Sequence, residues 1–153
     1  MAETLGSLCD KLTIVKLKQW HSEDGARLKS LAVHEEQLRG EIDAFVSEAL
    51  AGTIPVERLV FASNKVYKRQ GNEIGEVTGT LGQVFSQLAQ VNCALWHEQE
   101  KVYDFEAVAP EQKNAVVKQL ALLNLQRNEC IDRLDRLFRE AIERSSAATT
   151  DQR

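Results

Sequence analysis

The chain has 153 residues, 43% apolar and 27% charged, with a net charge of −4; this suffices for one core without staples and excludes a globally disordered chain. Its acidic balance lacks the basic face nucleic acid requires, and no apolar run approaches the ~18 residues of a membrane span. The start, Met-Ala-Glu-Thr-Leu-Gly, has neither the basic head nor the apolar run of a secretory signal, so a cytoplasmic protein is expected.

In chain order, the spacing of apolar residues predicts helices over 4–24, 26–50, 55–67, 80–104 and 110–143. Along the first helix, Leu5, Leu8, Cys9, Leu12, Val15 and Trp20 form an apolar arc that also contains Lys16. Gly25 punctuates the first hairpin. The second helix carries a heptad seam, Leu28, Leu31, Glu35, Leu38, Ile42, Phe45 and Ala49. A short linking helix is expected from Pro55, bearing Leu59, Val60, Phe61 and Val66, and then a loop over 68–79 with three glycines. The third helix repeats the arc with Leu81, Val84, Phe85, Leu88, Val91, Leu95 and Trp96 around Asn92. After Phe105 to Ala109, the fourth carries the seam Val116, Leu120, Leu123, Arg127, Cys130, Leu134, Leu137 and Ala141. Residues 144–153 read as a polar, disordered tail beyond a single domain over 1–143. Cys9, Cys93 and Cys130 are odd in number and lack metal spacing, as expected of buried free thiols.

An internal repeat organises these elements. A shift of 76 residues lays Leu5-Gly6 on Leu81-Gly82, Leu12 on Leu88, Val15 on Val91 and Trp20-His21 on Trp96-His97. A shift of 92 then lays Leu31 on Leu123, Asp43 on Asp135 and Glu48-Ala49 on Glu140-Ala141. The expected fold is therefore all-α: a helical bundle of two tandem helix-hairpin repeats, 4–50 and 80–143, with pseudo-two-fold symmetry and a linker over 51–79.

Four seam positions related by the repeat are polar: Lys16, Glu35, Asn92 and Arg127. A buried charge is costly unless paired, so these groups should meet one another, water or a ligand. One reading is a polar layer that fixes register; the other is a ligand-binding layer. Arg127 should find a carboxylate, with Glu100 or Glu35 the leading candidates. The ladders Lys16–Trp20–Asp24 and Asn92–Trp96–Glu100 each step by four along one helical face. His21 with Asp24, and His97 with Glu100, have the spacing of helical-bundle metal pairs. Arg127, however, stands where a further carboxylate would be needed, so no metal and no cofactor are expected. His34 has no histidine equivalent in the other repeat, where Gln126 stands, and is expected on the surface. Lys65, Lys68 and Arg69 beside Tyr67 form a basic cluster able to hold an anion or simply remain solvated. No nucleophile elbow, phosphate-binding glycine motif or zinc signature is present, and no catalytic residue is assigned.

Asp10-Lys11-Leu12-Thr13-Ile14-Val15, Val91-Asn92-Cys93-Ala94-Leu95-Trp96-His97 and Leu123-Asn124-Leu125-Gln126-Arg127-Asn128 resemble the landmarks of an uncharacterised bacterial all-helical family of unknown function. The resemblance spans nearly the whole chain and implies a small bacterial cytoplasmic protein, without an activity. An interaction or scaffold protein that self-associates or binds a protein partner is expected, with neither nucleic acid nor membrane as partner. The competing expectation is a pocket at the repeat interface lined by Lys16, Trp20, Asp24, Glu35, Asn92, Trp96, His97, Glu100, Asn124, Arg127 and Asn128. The two differ in whether those side chains converge on a cavity or satisfy one another.

Overall fold

A computed structural model describes residues 2–64, 67 and 70–151. Four helices carry the fold: α1 (Leu5–Trp20), α2 (Gly25–Leu50), α3 (Leu81–Tyr103) and α4 (Lys113–Thr150). There is no strand among the described residues, and no helix there is long and apolar enough to cross a membrane.

Local chemistry sets the helix ends. Thr4 caps α1 in a capping box with Ser7, and Thr80 caps α3 in the same way with Gln83. These positions are equivalent under the 76-residue shift, so the two helices begin alike. They end differently. α1 stops at Trp20, and Asp24 starts α2 by accepting hydrogen bonds from Ala26 N (2.8 Å) and Arg27 N (2.9 Å). α2 closes on Gly52 at φ 74°, where Gly52 N donates to Ala49 O and Thr53 N to Glu48 O. That pair of bonds is a Schellman turn, which needs the left-handed conformation glycine adopts without strain.

The expected linking helix over 55–67 is reduced to a single 3-10 turn, Val56–Arg58. Leu59 leaves that turn to become fully buried against the core, and the Asn64 amide ties the following chain to Asp132 at 2.6 Å. Tertiary anchoring thus replaces a helix too short to propagate unaided. α4, conversely, runs through 144–150, where a disordered tail was expected. All of its residues after Ile142 are exposed, so this end is helix extended from a stable stem rather than helix held by packing.

α1 is central. It packs on α2 within the first hairpin and on both α3 and α4 of the second, whereas α2 barely reaches α4. α1 is antiparallel to α4, since Gly6 meets Asp135 while Asp10 meets Arg127, and parallel to α3. One apolar cluster joins Leu8, Val15, Leu38, Phe45 and Leu59 to Phe138 and Ile142. A second joins Val84, Leu88 and Val91 to Leu123, Cys130 and Leu134, and Cys9 packs against both. The predicted seam of α2 is buried at Leu31, Leu38, Phe45 and Ala49. In α4, a second row, Ile131, Asp135, Phe138 and Ile142, is buried beside the predicted seam, because this half of α4 serves α1 as well as α3.

Some equivalent core positions are buried alike, such as Val15 with Val91 and Leu31 with Leu123, but the equivalence fails at the tryptophans and at the polar and glycine positions. Trp20 is 85% exposed, whereas Trp96 is half-buried and stacked on His21. Gly6 is packed against α4 while Gly82 faces open space. Asp135 is buried and its mate Asp43 is exposed.

Candidate functional site

The polar layer forms around a residue outside the predicted set. Asp10 on α1 is buried and its carboxylate takes Arg127 of α4 in a two-point contact, Nε to Oδ1 at 2.8 Å and Nη2 to Oδ2. The same Oδ1 accepts from Asn92 Nδ2 of α3 at 2.9 Å. Asn92 Nδ2 also reaches Thr13 Oγ1 at 2.7 Å, and that hydroxyl donates to the Asp10 carbonyl at 2.7 Å. Three helices are pinned in register by one carboxylate. Arg127 therefore pairs with neither Glu100 nor Glu35, as the sequence suggested, because the antiparallel α1–α4 packing delivers Asp10 first. The Arg127 pKa is raised by the hydrogen bonds it donates to Asp10, which outweigh the opposing effect of its partial burial. Asn92 Oδ1 is buried without a hydrogen-bond partner among the described residues.

The other candidates disperse. Lys16 and Glu35 pair at 3.1 Å at the surface, and Gln19 Nε2 donates to Glu35 at 2.9 Å. These bonds, Gln19 first and Lys16 second, hold the Glu35 carboxyl below its usual pKa. Asp24 is the α2 cap, so the Lys16–Trp20–Asp24 ladder ends with α1 and does not reach it. Trp96 Nε1 donates to Glu100 at 2.8 Å, and His97 Nδ1 stands 3.7 Å from the same carboxylate. His21 stacks on Trp96 at 4.7 Å and meets His97 edge-on at 6.5 Å. Among the described residues, no three His, Cys, Asp or Glu side chains stand where they could hold a metal ion. Asn124 bonds back to the Leu120 carbonyl at 3.0 Å. His34 is exposed, as expected. The cluster Lys65, Lys68 and Arg69, and Val66 of the expected linking helix, lie outside the described residues.

Besides a more open apolar groove at the α1–α3 repeat interface, which takes in Lys16 and Trp20, a cavity of about 270 Å³ lies beneath the linker. Asn72, Ile74 and Val77 cover it over the α4 residues Leu125, Asn128 and Asp132. Of the candidate residues, only Asn128 lines it. Asp132 has its pKa raised by burial, against the opposing hydrogen bond from Asn64.

A second buried carboxylate was also missed. Asp135 Oδ1 accepts from Gly6 N at 2.7 Å, and the Thr4 hydroxyl also favours the charged carboxylate. The first turn of α1 is thereby capped from α4, where a negative charge meets the positive end of the helix. Burial nonetheless dominates, raising the Asp135 pKa from 3.8 to about 6, with Asp132 adding to it and Arg136 opposing. A raised carboxyl stabilises the fold when protonated. Its contribution is complete below about pH 3.8 and is lost as pH rises through about 6. Asp135→Asn keeps an acceptor for Gly6 but cannot ionise. Chemical unfolding of both proteins from pH 4 to 7 should show wild type losing stability relative to Asp135→Asn across that window. A constant difference would contradict the assignment.

Both missed residues had a signal. Gly6, Asp10, Thr13 and Leu17, and Ile131, Asp135, Phe138 and Ile142, follow the same four-three-four spacing as the seams. The small and polar members of each row disguised it.

The cysteines are unpaired: Cys130 is buried and Cys9 half-buried, but Cys93 is exposed rather than buried as expected. Burial raises the thiol pKa of both Cys9 and Cys130 to about 11, which leaves them poor nucleophiles. No family model matches the chain, and neither a curated protein nor a solved structure matches it.

Proposed function

We propose that this chain is a helical interaction or scaffold protein that associates with copies of itself. The observation that carries this reading is surplus surface. The chain exposes 10137 Å² for a mass of 17.2 kDa, whereas a compact monomer of that mass exposes about 7,800 Å². Subunits of assemblies hold such surplus because part of it is covered by neighbours. The Asp10–Asn92–Arg127 layer supports the same reading, since its paired groups fix register between three helices and leave Asn92 Oδ1 alone in the layer without a partner among the described residues. A reducing, bacterial cytoplasmic setting fits the three unpaired thiols and the sequence resemblance. Light scattering across a concentration series tests self-association: a mass of at least a dimer is expected, and a monomer at every concentration would refute it.

One observation favours a second reading, a small-molecule binder: the cavity of about 270 Å³ with Asp132 and Asn128 in its wall. A monomer whose melting temperature rises with small polar ligands, and no longer does so in Asp132→Ala, would shift the choice to it.

A further inference from the structure

The outer face of α3 is unusual for so charged a chain. Residues 81–97 contain no Asp, Glu, Lys or Arg, although Gly82, Phe85, Ser86, Gln90 and Cys93 are exposed on that helix. A solvated helix face normally carries charge, whereas the core of a protein interface is depleted of it. Beside this face, Thr13, Lys16, Leu17 and Trp20 of α1 and Ala89 and Cys93 of α3 line an apolar groove of about 410 Å³. Trp20, at its rim, is 85% exposed, so a bulky apolar knob projects next to an apolar hollow able to receive one.

Resting on the reading of self-association, we propose that the α1–α3 face is the contact, in a two-fold dimer where each Trp20 enters the groove of the other copy. The occupant is a second copy for two reasons. In a two-fold contact a patch meets itself, so any charge near the axis would face its like; an uncharged α3 face avoids that repulsion. Knob and hollow also lie side by side on one surface, which makes the patch self-complementary. Lys16 at the groove edge is held to Glu35 at 3.1 Å and does not leave a bare cation there. Tryptophan is the residue type most enriched among those that dominate interface energy.

The test measures the dimer dissociation constant by sedimentation or light scattering for the wild type, Trp20→Ser, Ser86→Glu and, as a control on another surface, Phe61→Ser. The altered residues are exposed, and far-UV circular dichroism checks that each variant keeps its helices. Trp20→Ser and Ser86→Glu should each weaken the dimer by at least about tenfold, with Phe61→Ser unchanged. A dimer insensitive to either of the first two overturns this contact and leaves self-association standing through another surface. A wild-type chain that is monomeric throughout overturns both.

Discussion

Arg127→Leu should be among the most damaging single substitutions in the chain, costing about 3–5 kcal/mol of unfolding free energy. The cost arises at the residue left behind. Asp10 keeps only 5% of its side chain exposed, against 33% for Arg127, so the leucine variant strands a carboxylate that water cannot reach. Asn92 and the Thr13 hydroxyl cannot neutralise it. Asp10→Leu should be milder, since Arg127 at the edge of the bundle can turn its guanidinium toward solvent. The double substitution Asp10→Leu with Arg127→Leu should recover much of the loss, because no buried charge remains. Urea unfolding of the four proteins closes the cycle. Equal losses in both single variants, with no recovery in the double, would show that packing rather than charge dominates at this layer.

The second large effect is expected at Gly6. A Cβ there would stand 2.6 Å from the Ile131 carbonyl oxygen and 2.9 Å from Asp135 Oδ1. The first obstacle is backbone, which cannot swing aside. Gly6→Ala must therefore lift the start of α1 off α4, costing about 1–3 kcal/mol for overpacking. Lengthening the charge-assisted bond to Asp135 adds about 1.5–3 kcal/mol. Gly40, inside α2, supplies the contrast. Nothing stands within 4 Å of a Cβ built there, so Gly40→Ala should stabilise by about 0.5–1 kcal/mol through helix propensity alone. Two identical chemical changes with opposite signs can be read from thermal melts of the two variants beside the wild type. A Gly6→Ala protein as stable as wild type would mean that the close approach of α1 to α4 is dispensable.

Periodicity along the chain was enough to establish the helical class, the two hairpins and the inner faces. Leu31, Leu38 and Phe45 in α2, and Leu123, Cys130 and Leu134 in α4, are buried where their spacing put them. Spacing works for these residues because an apolar stripe is a property of one helix and needs no knowledge of its neighbour. The same logic marked Asn92 and Arg127 as polar intruders that required a partner. Which partner was beyond its reach. Asp10 lies 117 residues from Arg127, and only the antiparallel stacking of α1 on α4 sets one against the other. Asp24 read as one rung of a ladder until α1 ended at Trp20 and made it the cap of the next helix. The linking helix failed for a related reason: Leu59 gains more from burial in the core than a short isolated helix gains from its own hydrogen bonds. Asp135 and Gly6 became a contact because α4 has two neighbours to satisfy. A sequence records how each helix divides apolar from polar, whereas the pairing of polar groups between helices is decided by register, crossing and depth, which exist only once the helices have packed.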